Sequence, residues 1–170
     1  MFVAVLSTSS YYFYGYVVES EDAPFLPYKG KVMAENESWK TECGDCHMAF
    51  HPTMLPKRSW QALMDGQEDH FGDDLALDDD VTTEITDFLL TNSAESGLTE
   101  AANKINRSIP ASAAPIRITE SRYWKKKHRD IDDIYWKSEK VKSKSNCSAC
   151  HLDAEDGWFE DSNMRLPKLK

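Results

Sequence analysis

Apolar and polar positions along this chain recur with helical rather than strand periodicity. Over 58–70, Trp60, Leu63 and Met64, with Phe71 just beyond, fall at helical spacing on one face, and this predicts a helix that Gly72 stops. His70 lies at the edge of that face. The acidic run from Asp73 to Asp80 reads as a turn. Asp79 or Asp80 then caps a helix over 81–91 whose inward face is Val81, Ile85, Phe88 and Leu89. A short helix is expected over 98–109, with Ala101, Ala102 and Ile105 facing in. A long one is expected over 120–139, where Trp124, His128, Ile131 and Tyr135 stand at i, i+4, i+7 and i+11 and form one stripe. Cys43 to Phe50 reads as the opening of a further helix, and Pro52 and Pro56 make 51–56 a loop. No stretch alternates convincingly as a strand, so the expected fold class is all-α.

Breakers divide the chain. Pro24, Pro27 and Gly30 make 19–38 an irregular lead-in, and 110–115 (PASAAP) is the best linker candidate. The expected organisation is a candidate signal sequence or membrane anchor over 1–20, a first small lobe over 21–110 and a second over 111–170. Residues 2–18 carry no charge. Yet no Lys or Arg precedes them, no clear small-x-small cleavage site follows, and Ser, Thr and Gly interrupt the apolar run, so the stretch is a poor example of either.

Charge sharpens the division. The net charge is -9, but residues 1–104 hold 6 Lys/Arg against 19 Asp/Glu, a balance of -13, whereas residues 105–170 hold 14 against 10, a balance of +4. A nucleic-acid binder needs a net basic footprint, which this chain lacks. A dipolar protein suits the steering of a charged protein partner; ordinary solubilising surface is the competing explanation. The basic run Lys125-Lys126-Lys127-His128-Arg129, followed by Lys137, Lys140, Lys142 and Lys144, is read either as a docking face for an acidic redox partner or as a solvated helix face.

All 4 Cys fall in two five-residue strings, Cys43-Gly44-Asp45-Cys46-His47 and Cys147-Ser148-Ala149-Cys150-His151. Cys-x-x-Cys-His is the signature for covalent haem attachment. Two thiols add across the two haem vinyl groups, and the adjacent His supplies an axial nitrogen to the iron. Two Cys-x-x-Cys pairs also build zinc sites, but such pairs usually lie close together, and four-cysteine zinc does not require a His after each pair. A redox dithiol needs a βαβ context that is absent here. The expectation is two haem c groups, held by Cys43, Cys46, His47, Cys147, Cys150 and His151, with short helices packed around them. A covalent haem also staples a small polar chain with a thin core.

The sixth ligand of each iron decides between a closed electron carrier and an open reaction site. His51, His70 and His128 are the histidines left over. His51 follows His47 by one helical turn and is expected at the surface or on the propionate side. His70 and His128 each border or interrupt an apolar face, where a buried imidazole needs a partner that an iron supplies. The expected axial pairs are His47 with His70 and His151 with His128; a swapped arrangement stays open. Met54, Met64 and Met164 are the rival ligands, Met64 above all because it shares the face of His70.

The residues Glu42 to His47, Leu55-Pro56-x-Arg58-Ser59-Trp60, His70-Phe71-Gly72, Arg117-Ile118-Thr119-Glu120, Lys127-His128-Arg129 and Asn146 to His151 resemble the soluble dihaem cytochrome c family of proteobacteria. The resemblance covers most of 39–160. It implies electron transfer in the periplasm, two low-spin bis-His haems of low potential, and His70 and His128 as distal ligands. It also implies redox-protein partners, such as a small oxygen-binding monohaem cytochrome c or a membrane-bound cytochrome. The competing function is a dihaem enzyme, a peroxidase or small-molecule reductase, with one open iron. A third reading is a zinc-binding protein. Haem attachment at this motif takes place outside the cytoplasm, so a periplasmic protein is expected, free or tethered through its N-terminus.

Overall fold

The computed structural model of the chain describes residues 33–169. The candidate signal or anchor over 1–20 lies outside the described residues. Among those residues there are α-helices and 3₁₀ turns but no strand.

Helix α1, Glu37–Gly44, starts where Asn36 accepts the Trp39 N–H and ends within the first cysteine motif. Periodicity predicts a helix that opens at Cys43; the helix instead opens at Glu37 and ends at Gly44, because Asn36 caps it and Trp39 anchors it in the core. Helix α2, Lys57–Asp65, buries Trp60 and Met64. It ends sooner than periodicity suggested: Gly66 breaks it, a 3₁₀ turn Gln67–Asp69 follows, and His70 sits after that turn rather than on the helix. Helix α3, Asp79–Thr91, buries Ile85 and Leu89 one turn apart, as expected. Helix α4, Glu100–Ser108, begins where Thr99 accepts the Ala102 N–H, and it buries Ala101, Ala102 and Ile105.

The long helix expected over 120–139 is two short ones, α5 at Arg122–His128 and α6 at Asp133–Trp136. Asp132 explains the break: its carboxylate accepts the Ile134 N–H and starts a new helix, so Trp124 and His128 share a face that Ile131 and Tyr135 do not extend.

The core gathers Trp39, Leu55, Trp60, Met64, Ile85, Leu89, Ile105, Ile109 and Ile118. Helix α3 packs on α1 and α2, and α4 packs on α5 and on the 3₁₀ turn Pro52–Met54. Asn36 and Ser38 both donate to the Glu84 carboxylate (2.9 and 3.0 Å), which pins α1 to α3. Trp124, Cys147 and Phe159 pack against the same core, so the second cysteine motif rests on it.

Candidate metal centres

The first motif leaves the end of α1. Cys46 and His47 are exposed, and Cys43 is half-buried. The His47 ring and the His70 ring approach to 6.2 Å between centroids. His47 Nδ1 lies 2.7 Å from the Met48 carbonyl, which only accepts, so Nδ1 donates and Nε2 is the ring nitrogen available to a metal. Phe50 packs on His47 at 4.9 Å and Phe71 on His70 at 4.8 Å. Burial holds the His70 imidazolium down, aided by the charge of His47, so the neutral, ligating form is favoured.

The second motif sits on the 3₁₀ turn Cys147–Ala149. It opens on a cavity lined by Met54, Ile105, Ile118, Trp124, Ile131 and Phe159, with Cys147, Cys150, His128 and His151 also facing it. The His128 and His151 rings stand 6.0 Å apart. His128 Nδ1 donates to the Trp124 carbonyl at 2.9 Å, which again leaves Nε2 bare. Trp124 stacks on His128 at 4.3 Å and 17°, and Phe159 meets the edge of His151 at 5.2 Å. His151 Nδ1 is buried without a partner. Burial also lowers the His128 and His151 pKa values, which favours the neutral rings.

Ring separations of 6.2 and 6.0 Å leave room for a metal ion that both imidazoles of a pair could hold. Metal-bound histidines commonly donate the other ring N–H to a carbonyl, as His47 and His128 do here. The structure places the His47 ring beside that of His70 and the His151 ring beside that of His128. Zinc fits poorly: among the described residues no three His, Cys, Asp or Glu side chains converge on a metal-sized point. Burial pushes the Cys43 and Cys147 thiols up to about 11, the reverse of a reactive dithiol.

Met64 is buried in the core, so the rival that shared a face with His70 is a packing residue. Met54 is also a core residue and lines the second cavity; Met164 lines the same cavity, and its backbone bridges to His151.

His51 departs from its expected surface position. It is only 5% exposed, bonded through Nδ1 to the Thr53 hydroxyl at 2.8 Å. Its ring lies against Gly157, where a Cβ would come within 2.5 Å of Nδ1. Sequence reasoning also missed the aromatic walls Phe50 and Phe71, although their places three residues after His47 and next to His70 were visible. It missed the contact between the motifs, where Ser148 Oγ donates to the Met48 sulfur at 3.3 Å. Phe71 and Phe159 both adopt left-handed backbone (φ 59° and 56°), a strained conformation for a large residue.

Residues 39–159 match the Dihaem cytochrome c family. The structure is similar to the dihaem cytochrome c from Rhodobacter sphaeroides, with a TM-score of 0.65 at 37% identity over 76% of this chain and 100% of that one. It is also similar to a dihaem cytochrome type c from Shewanella baltica, with a TM-score of 0.64 at 32% identity over 79% of this chain and 94% of that one. No curated protein matches the sequence.

Proposed function

This chain belongs to the dihaem cytochrome c family, and from that premise we propose that it carries electrons between redox proteins in the periplasm, with His47 and His70 closing one iron and His151 and His128 the other. The family carries two c-type haems, and the chain holds the four cysteines that attach them: Cys43 and Cys46 for the first, Cys147 and Cys150 for the second. The observation that carries the reading is the pair of imidazole separations, 6.2 and 6.0 Å, each with one Nδ1 tied to a carbonyl. Each haem, when bound, supplies a one-electron iron couple.

The rest is work of this chain's side chains. Trp124 and Phe159 hold the planes of His128 and His151, and Phe50 and Phe71 those of His47 and His70. Were both imidazoles of each pair engaged by iron, no position would remain for substrate, which supports a carrier rather than a peroxidase or reductase. The Ser148–Met48 contact joins the two motifs and supports passage between them. In this reading 21–110 and 111–170 each supply one histidine pair. The uneven charge of the chain suits a charged protein partner, either a small oxygen-binding monohaem cytochrome c or a membrane-bound cytochrome. No helix among the described residues is long and apolar enough to cross a membrane.

The optical spectrum of the dithionite-reduced protein, taken before and after carbon monoxide, tests this. An unmoved Soret band supports two closed irons. Carbon monoxide binding to about half of the haem would mean that one distal histidine is missing, and the dihaem-enzyme reading would replace this one.

A further inference from the structure

Two buried polar atoms at the second motif have no partner among the described residues: Nδ1 of His151, and Oδ1 of Asp153 two residues further on. Buried polar groups are almost always satisfied, so a pair of orphans this close in the chain calls for a cause. The two are complementary. With Nε2 turned to a metal, a neutral imidazole carries its proton on Nδ1, and a carboxylate oxygen only accepts. Burial and the His128 charge hold the His151 imidazolium down, and Asp153 is the foremost group acting in the opposite sense, ahead of Asp161. The carboxylate therefore stands near the ring.

Its surroundings fix it there. Asp153 is 7% exposed, and its Oδ2 accepts from the Glu160 N–H (2.9 Å) and the Asn163 side-chain amide (3.1 Å). The Leu152 N–H donates to the Asn163 carbonyl (3.1 Å) and the Arg165 N–H to the Cys150 carbonyl (2.7 Å), which ties the chain to 163–165 on both sides of His151. Phe159, next to Glu160, meets the edge of the same ring. One oxygen of Asp153 thus orders this turn, and the other remains for the imidazole. His47 and His128 donate instead to main-chain carbonyls.

We propose that Asp153 is a positioning residue for the His151 imidazole: its Oδ1 accepts the Nδ1–H, directly or through one buried water, and so orients the ring and strengthens Nε2 as a ligand to iron. The inference rests on the reading of His151 as an axial ligand. A carboxylate is a stronger acceptor than a carbonyl, and it raises the basicity of the imidazole that it holds. A more basic ligand stabilises the ferric iron, so Asp153 lowers the potential of its own haem below the value that haem would have without it.

Redox titration and low-temperature electron paramagnetic resonance of the full-length holoprotein test this in the wild type, Asp153→Asn and Asp161→Asn. Asp153→Asn is expected to raise the potential of one haem and to change the g values of one low-spin signal, with the other haem unmoved. Asp161→Asn removes an exposed carboxylate, paired with Lys127, from the same neighbourhood and should move that haem less. A residue that merely orders the turn would lower Tm in Asp153→Asn and leave the potentials and g values where they were. That outcome, or an equal shift in Asp161→Asn, overturns the proposal. If Asp153→Asn does not fold, a crystal structure of the haem-loaded wild type decides. His151 Nδ1 bonded to Asp153 Oδ1, or both bonded to one water, is the expected result; any other partner for Nδ1 overturns it. Failure of the axial-ligand reading shows separately, as carbon monoxide binding by the reduced wild type.

Discussion

The two sites use one motif and one interval. Paired histidines stand 23 residues apart in each, from His47 to His70 and from His128 to His151, with the motif leading in the first and trailing in the second. The surroundings nevertheless differ. The first motif hangs from the end of α1, with Cys46 and His47 in contact with water and a mainly acidic rim. The second rests on a cavity that shares Ile105 and Ile118 with the main core, walled by Trp124 and Phe159. A five-residue motif fixes the chemistry of attachment, and the residues around it set how strongly the site is bound into the fold and how it responds to charge.

The sharpest break of this comparison removes one attachment at a time. Cys43→Ser/Cys46→Ser and Cys147→Ser/Cys150→Ser should each leave one haem per chain, counted by pyridine haemochrome against intact mass. The second variant should lose more thermal stability, because the cavity its motif opens on is lined by core residues. A larger fall in Tm for the first variant would contradict the contrast.

Glycine substitutions sharpen it further. Gly157→Ala combines a left-handed backbone (φ 70°) with a Cβ that meets His51 Nδ1 at 2.5 Å. A cost of about 2–5 kcal/mol is expected from strain plus overpacking. Gly72→Ala at the first site has a positive φ of 108° but no atom within 4 Å of its Cβ, so only the backbone cost of about 1–2 kcal/mol applies. Denaturant unfolding of the two variants measures both.

Next comes pH. Burial lowers the His51 pKa from 6.5 to about 4, with Asp156 opposing the shift. The unfolded chain therefore binds a proton between those values that the folded chain refuses, and stability falls as pH drops from 6.5 towards 4. The loss attributable to this one group approaches about 3 kcal/mol below pH 4. His51→Gln should flatten the Tm–pH curve in that window; an unchanged slope would show that His51 is not the group responsible.

The smallest effect is expected at the junction. Ser148→Ala removes one exposed hydrogen bond to the Met48 sulfur and should cost less than about 1 kcal/mol. A larger loss in urea unfolding would mean that the two sites depend on each other for folding.

Much of this was legible in the sequence, and the failures have physical causes. Helix α3 was readable because Ile85 and Leu89 repeat at helical spacing behind an acidic start. The two haem-attachment motifs were readable because Cys-x-x-Cys-His is a spacing fixed by the attachment chemistry. Helix ends were overrun where one residue outweighs periodicity: Gly66 stops α2, and the Asp132 carboxylate starts α6. Helix α1 was signalled by Asn36 followed by Glu37, a capping pattern that the reading passed over in favour of the cysteines. The burial of His51 carries no local signal, because its seat is made by Gly157 from the far end of the chain.

The central claim is that each iron is closed by two imidazoles. Low-temperature electron paramagnetic resonance of the ferric holoprotein, read together with its near-infrared magnetic circular dichroism, tests this most directly. The account predicts two low-spin bis-imidazole signals and no methionine-to-iron charge-transfer band. A high-spin signal, or a methionine band accounting for one haem, would contradict it.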